Sequence, residues 1–390
     1  MIILKLAFRN IIRAGLRTWL NAIALSFSFV TIIYLQGLYN GMNAQVEKAT
    51  IDAQYAGGQY WQKDYDPYDP LTLDNAHGAI PLDLSTLIGE KKAVPVLIRP
   101  ATIYPNGRFQ NTLLKGIQPE QEIVSLPTSI LKTEESSIPA LIGSRMAKST
   151  GLKKGDYVTV RWRDVNGTFD ANELKIVEIM KTDVSDIDNG QLWIPIKRMQ
   201  EMMAMPDEAT IVILERGSQF NAKVENWNHK DLYFLMKDLR ALFLSKSIGG
   251  SIFYIVLLLL AMLALFDTQI LSIFRRRKEM GTLMALGMTR SDIIHLFTLE
   301  GAMHAVLAAI VAAIYGLPLL IWVATIGYGL PEASDSFGYA LGNRIFPVFS
   351  AGLILGTTIL VLIVTTIVSY LPTRKIAKLE PTDALRGRLL

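Results

Sequence analysis

Four long apolar runs constrain the fold of this chain more than any other feature of its sequence. They cover about residues 18–40, 247–274, 299–326 and 346–371. Each holds the roughly 20 apolar residues that an α-helix needs to cross a bilayer. With 51% hydrophobic and 19% charged residues, the chain is too polar for a membrane bundle alone. The sequence therefore predicts a membrane protein with four transmembrane helices and a large water-facing domain, residues 41–246, inserted between helices 1 and 2.

Residues 41–246 have the pattern of a mixed α/β domain. Short β-prone runs at 94–99, 101–104 and 112–117 are separated by Pro and Gly. A helix is predicted from Ser144 to the stop at Gly151, and another from Trp227 to Ser245.

The distribution of Lys and Arg predicts the orientation of the helices. Residues 1–17, 275–290 and 373–390 hold 4, 5 and 5 of these cations, whereas the loop 327–345 holds only Arg344. Basic loops are retained on the cytoplasmic side. Both termini are therefore expected in the cytoplasm, with an amphipathic helix at 1–17, a tail at 372–390, and residues 41–246 and 327–345 on the outer side. A cleaved signal peptide is the alternative for the first run, but that run is longer than a signal core.

The segment 275–298 joins the second and third apolar runs and is expected to form a short amphipathic helix facing the cytosol. An ordinary stop-transfer cluster is the alternative. The segment also contains small residues that a stop-transfer signal does not require. Each glycine inside a helix costs about 1 kcal/mol of helix stability relative to Ala. We therefore expect Gly281 and Gly287 to interrupt the helix. The predicted contacts with a soluble partner are Glu279, Gly281, Ala285, Gly287 and Ser291.

The sequence contains few residue patterns that indicate catalysis. The chain has no cysteine, and its four histidines lack the spacing of a metal pair. It also has no nucleotide-cradling glycine loop followed by Lys and Ser or Thr. A net charge of +4 without a basic, aromatic-interleaved patch argues against nucleic acid. The chain is predicted not to be an enzyme and to bind no cofactor or metal.

Three separated motifs resemble the FtsX/MacB-type ABC transporter permease family. Residues 276–293 read RRKEMGTLMALGMTRSDI and are followed by Glu300-Gly301. Residues 372–386 read PTRKIAKLEPTDALR, and residues 6–13 read LAFRNIIR. Met280 and Met288 are mild departures from the family pattern, which has Ile and Ala there.

Two further stretches are similar to the lipoprotein-releasing permeases LolC and LolE. These are NGMNAQVE at residues 40–47 and KGIQPEQE at residues 115–122. A third element, residues 142–156, is shared with MacB-like efflux permeases and does not discriminate.

The resemblance implies a bacterial inner-membrane permease with a MacB-like periplasmic domain. Such permeases pair with a second copy or a sister subunit, and each docks a separate ABC ATPase that binds ATP and Mg²⁺. The expected task is extraction of lipoproteins from the bilayer, with acyl chains held between spans one and two. The alternatives are a MacB-like efflux permease with an adaptor and an FtsX-like regulator of a cell-wall hydrolase.

Polar residues at membrane depth are functional candidates by default. They are Gln36, Asn40, Asp267, Glu300 and His304. Glu300 and His304 are four residues apart and are expected to pair near the inner boundary. Asp267 lies deeper and is expected to face a partner helix, in a structural or a coupling role.

Overall fold

The computed structural model describes residues 15–132, 137–329 and 344–376. Most of the segment 1–17, of the loop 327–345 and of the tail 372–390 therefore lies outside the described residues. The chain divides into two compact units. We call residues 15–42, 243–329 and 345–376 the helical unit, and residues 43–242 with Arg344 the α/β unit.

The described residues form ten α-helices. In chain order they are α1 Leu16–Thr50, α2 Leu82–Gly89, α3 Ser144–Thr150, α4 Ser185–Asp188, α5 Ile196–Met203, α6 Leu232–Leu235, α7 Lys237–Arg275, α8 Arg277–Ala285, α9 Arg290–Ile326 and α10 Ala351–Ile376. A π-helical turn, Ile51–Tyr55, follows α1, and short 3₁₀ turns cover Pro70–Asp74, Pro105–Gly107 and Thr128–Leu131.

The strands are shorter. They are β1 Gln59–Gln62, β2 Gly78–Ala79, β3 Ala93–Ile103, β4 Gln110–Ile117, β5 Ile138–Gly143, β6 Tyr157–Arg163, β7 Phe169–Met180, β8 Gln191–Pro195, β9 Glu208–Ala209, β10 Ile211–Leu214, β11 Trp227–Lys230, β12 Tyr328–Gly329 and β13 Arg344–Ile345.

The helical unit contains four helices, α1, α7, α9 and α10, that are long and apolar enough to cross a membrane. Their common core includes Phe29 of α1, Met262 of α7 and Val361 of α10. Helix α9 contributes small residues to it, namely Ala305, Ala308 and Ala312. Small side chains let membrane helices approach closely. At Gly316, also on α9, a Cβ atom would lie only 2.6 Å from a methyl group of Val30 on α1.

The bounds of α10 differ from the predicted fourth span. Residues 346–350 are not helical, and α10 continues through Pro372 instead of ending there. Neighbouring hydroxyl groups help a membrane helix to tolerate proline. Here the Thr373 hydroxyl donates to the carbonyl of Ser369 at 2.7 Å.

The α/β unit is built on one sheet of nine strands, in the order β11-β1-β10-β3-β4-β8-β5-β7-β6. A further pairing between β3 and β6 joins residues 101–103 to residues 160–162. This pairing closes the six strands from β3 to β6 into a barrel. The largest apolar cluster, which includes Leu114, Ile142, Val160 and Leu192, fills it.

Two predictions within this unit are wrong. The strands expected on either side of Pro100 form the single strand β3. It tolerates Pro100 because the pairing with β10 ends at Val96 and the pairing with β6 begins at Ala101. The segment from Trp227 is not a continuous helix, because residues 227–230 pair with β1 as β11. Helix begins only at Leu232, where the Asp231 carboxylate accepts from the Phe234 amide at 2.8 Å.

The helix predicted from Ser144 is α3, and it stops where Gly151 adopts a left-handed conformation with φ of 74°.

Candidate functional site

The predicted docking segment folds as helix α8, a turn, and the start of α9. Gly287 lies in the turn with φ of 98°, a conformation that L side chains rarely adopt. Thr289 and Asp292 then form a capping box, in which the Asp292 amide donates to the Thr289 hydroxyl at 3.2 Å. Gly287 therefore interrupts the helix as predicted. Gly281 does not, because α8 runs through it without a break.

Helix α8 packs one face against the ends of α7 and α9. Met280 is buried in a small apolar cluster with Ile273, Ile293 and Phe297. The exposed side includes Leu286, a large apolar residue that is 78% exposed. Of the five predicted docking residues, Gly281 is buried, whereas the exposed ones are Glu279, Ala285, Gly287 and Ser291.

Arg276 connects α7, α8 and α9 through ion pairs. Its guanidinium donates to both carboxylate oxygens of Glu300, at 2.7 and 2.8 Å. It also donates to both oxygens of Glu279, at 2.7 and 3.0 Å. The guanidinium carbon lies 4.9 Å from the centre of the Phe297 ring. One cation thus fixes the ends of three helices with planar, bidentate geometry, which only Arg supplies.

The two carboxylates differ in environment. The side chain of Glu300 is 8% exposed, whereas that of Glu279 is half exposed. The hydrogen bond from Arg276 lowers the pKa of Glu279. Glu300 therefore depends on Arg276 for compensation of a buried charge, and Glu279 shares its charge with water.

The expected pairing of Glu300 with His304 is wrong. The His304 ring lies 2.9 Å from the backbone carbonyl of Glu300 through Nδ1, so its N–H donates to the main chain. The Glu300 carboxylate points to Arg276 instead. The Nη1 group of Arg276 reaches both oxygens of this buried carboxylate, while the helical spacing of His304 brings its ring to the preceding turn.

Gln36 and Asn40 line one small cavity, of about 170 Å³, between α1 and α7. Its other lining residues are Tyr39, Ser247, Gly250, Ser251, Tyr254 and Leu353. Six of the eight lining residues carry a hydroxyl or amide group. The expectation that acyl chains occupy the space between spans one and two stays a prediction.

Asp267 is exposed on α7, and none of the described residues forms an ion pair or hydrogen bond with it. Its neighbours turn inward. Thr268 accepts a hydrogen bond from the Asn21 amide of α1 at 3.1 Å, and Gln269 is buried.

Sequence reasoning missed Arg276 as a site residue. It used the four consecutive cations 275–278 only to assign this segment to the cytoplasmic side. The sequence offered one signal for it. Glu300 is a carboxylate at membrane depth, and only a nearby cation could compensate its charge there. Among the described residues, no group of three His, Asp or Glu side chains is placed to hold a metal ion.

A segment that contains α8 and Arg276 matches a known protein family. The family model described as FtsX-like permease C-terminal matches residues 251–381. The matched segment, which we call the FtsX-like domain, contains α8, Arg276 and Glu300, the elements of the site described above.

Relatives of the chain are ABC transporter permeases. An uncharacterized permease of Methanocaldococcus jannaschii is 32% identical over 130 residues, 33% of this chain and 30% of the relative. YknZ of Bacillus subtilis is 25% identical over 267 residues, 63% of this chain and 61% of the relative. The chain thus spans less than two thirds of the length of either. The lipoprotein-releasing system transmembrane protein LolC of Neisseria meningitidis is 20% identical over 332 residues, 75% of this chain and 77% of LolC.

One solved structure similar to part of the chain is the periplasmic region of MacB from Actinobacillus actinomycetemcomitans. It matches 50% of this chain and 98% of that structure at 7% identity, with a TM-score of 0.33.

Proposed function

We propose that this protein is the permease subunit of an ABC transporter and that α8 docks a separate ATPase, which supplies ATP and Mg²⁺. The observation that carries the proposal is the exposed turn at Leu286, held on a helix that Arg276 ties to its two neighbours. A large apolar side chain at the tip of a fixed, polar-rimmed turn is suited to bury itself in a protein partner.

The same contacts would transmit movement. If an ATPase displaces α8, the bidentate pairs of Arg276 resist separation of α8 from α9 and from the end of α7. A packed apolar cluster around Met280 lies beneath them. Displacement of α8 would therefore move the FtsX-like domain as a connected body rather than unfolding a loop.

For the orientation, we infer that α8 and both termini are cytoplasmic and that the α/β unit is periplasmic in a bacterial inner membrane. The charge count of the sequence supports this orientation, since four consecutive cations, residues 275–278, lie at the junction of α7 and α8.

For the cargo, we propose lipoproteins. The alignment with LolC spans 332 residues, more than the helical unit contains, so this similarity extends into the α/β unit. Acyl chains lose about 0.8 kcal/mol per CH₂ on leaving lipid, which gives a reason for coupling to ATP. The outward faces of α1 and α7 expose large apolar residues, including Phe27, Ile252 and Leu259. In a pair with a second permease, these faces and Asp267 would line a shared, acyl-sized space.

Leu286→Glu tests the docking site. The full chain is purified with its ATPase, and the ATPase retained per permease is measured. We expect retention to fall at least about tenfold, because burial of one Leu contributes about 1.5–3 kcal/mol and a buried carboxylate adds a penalty. The matched control is Leu71→Glu, since Leu71 is 85% exposed in the α/β unit. Equal retention by both variants would refute docking at Leu286.

The cargo test is separate. Mass spectrometry of the purified complex should find acylated proteins that leave on addition of ATP. A complex without acylated proteins would exclude lipoprotein extraction. Crosslinks to a periplasmic adaptor would then favour MacB-like efflux, and activation of a hydrolase without cargo would favour an FtsX-like regulator.

A further inference from the structure

The α/β unit contains a cavity of about 550 Å³ that plays no part in the docking site. Its size is typical of pockets for small molecules, which are mostly apolar with a few placed polar groups. The walls combine aliphatic and aromatic side chains, and the aromatic ones include Trp61, Tyr65, Trp193 and Phe234. Trp61 packs edge-on against Tyr65, with ring centres 5.1 Å apart, and against Phe234 at 5.9 Å.

Lys115 and Trp193 bring two buried donors to this cavity. They lie side by side, because Lys115 of β4 and Trp193 of β8 are partners in the parallel register of these strands. Lys115 is 7% exposed and Trp193 is 4% exposed. The Lys115 ammonium lies 5.0 Å from the centre of the Trp193 ring.

Neither donor has an acceptor among the described residues. The indole N–H of Trp193 is buried without a hydrogen-bond partner. The described residues place no hydrogen bond or ion pair on the Lys115 ammonium, and the carboxylate that acts on it electrostatically is that of Asp186. Buried polar groups are almost always satisfied, so the unpaired indole N–H of Trp193 beside the Lys115 ammonium needs an explanation. Trp61 in the same cavity shows the usual situation, since its N–H donates to the Gln59 side chain at 2.7 Å.

The charges of the cavity are arranged by depth. Three carboxylates line it, those of Asp183, Asp186 and Asp238, and all three residues are exposed. Water and salt screen them, whereas the buried ammonium of Lys115 is screened far less. Asp238 is also engaged by the hydroxyl of Tyr68.

We propose that this cavity is a binding site for a small organic carboxylate with an apolar, ring-sized body. The carboxylate accepts from the Lys115 ammonium and from the Trp193 N–H, and the body packs between the aromatic walls. A neutral carbonyl would satisfy the indole but leave the buried cation without a counter-ion, so an anion is the better match. Burial lowers the pKa of Lys115 to about 8, and the Asp186 carboxylate offsets only part of this effect.

The probe is 2-naphthoate, titrated by calorimetry into the full chain in phosphatidylcholine nanodiscs, with empty nanodiscs subtracted. 2-Naphthamide and 2-naphthylmethylammonium are titrated in the same way for comparison, as the neutral and the cationic arm of the experiment. We expect saturable binding of the anion alone. Lys115→Met should weaken it at least about tenfold, because a hydrogen bond to a charged group is lost. Trp193→Phe, which keeps a ring but removes the N–H, should weaken it about threefold to tenfold.

Lys154→Met is the matched control, since Lys154 is an exposed lysine paired with Glu178 on the surface of the same unit. It should bind 2-naphthoate like the parent chain. Three results would each overturn the proposal. They are no binding of 2-naphthoate beyond empty nanodiscs, equal binding by the Lys115→Met chain, and tighter binding of the cationic arm, which would assign the cavity to the exposed carboxylates. None of these results bears on ATPase docking, so the two proposals fail independently.

Discussion

Replacing Lys115 by Met should stabilise the α/β unit, and the gain should depend on pH. Met has nearly the length and volume of Lys but no charge to desolvate. Because the folded pKa of Lys115, about 8, lies below the unfolded value of about 10.4, the unfolded chain binds more protons between these two values. The free energy of unfolding of the parent chain therefore rises with pH through this window, and the buried charge destabilises it most below pH 8.

The magnitude follows from the difference between the two pKa values. At about 1.4 kcal/mol per pKa unit, the charge costs the parent chain about 3 kcal/mol at pH 7 and about 2 kcal/mol at pH 9. For a unit of this size, 1 kcal/mol corresponds to roughly 2–4 °C in Tm. Lys115→Met should thus raise Tm by about 6–12 °C at pH 7 and by about 4–8 °C at pH 9.

Differential scanning calorimetry of the full chain in nanodiscs measures this shift for the transition of the α/β unit. Lys154→Met serves as the surface control and should change Tm by less than about 2 °C at either pH, because exposed ion pairs contribute little. A Tm that falls in the Lys115→Met chain, or a gain that is the same at both pH values, would show that Lys115 is compensated in the folded protein and that the reasoning is wrong.

The helical unit gives two further predictions. Arg276→Gln should lower the free energy of unfolding by about 3–5 kcal/mol, since it leaves Glu300 buried without a counter-ion, whereas Glu279→Gln should cost no more than about 1 kcal/mol because Glu279 is half exposed. Thermal melts of the two variants compare them directly, and equal losses would contradict the assigned burial. Gly316→Leu should destabilise the packing of α9 on α1, because even a Cβ atom there lies 2.6 Å from a Val30 methyl group. Val30→Ala combined with Gly316→Leu should recover part of the loss, and no recovery in the melt would indicate a different packing.

Sequence reasoning succeeded where a short stretch of chain decides its own structure. The four apolar runs coincide with the helices that are long enough to cross a membrane. The stop of α3 at Gly151 and the turn at Gly287 follow from the preference of glycine for positive φ. These features depend on composition and on neighbours only a few residues away.

Sequence reasoning failed where residues far apart in the chain decide the local structure. The segment from Trp227 has an ambiguous pattern, and its pairing with β1, more than 160 residues earlier, makes it a strand. Glu300 has a helical neighbour in His304, but its partner is Arg276, 24 residues away. Lys115 lies in the run 112–117 that was predicted as a strand, but only the register of β4 with β8 places it against Trp193.

Closure of the barrel through β3 and β6 also affects aggregation. A sheet of nine strands in a line would expose two edges, and unpaired edges recruit strands from other chains. Because β6 is paired on both sides, β11 is the outer edge left to this sheet among the described residues. That edge is only four residues long and carries Lys230, two features that discourage intermolecular pairing. In a chain without disulfides, this arrangement would help the α/β unit to remain monodisperse at the high local concentrations of a crowded membrane surface.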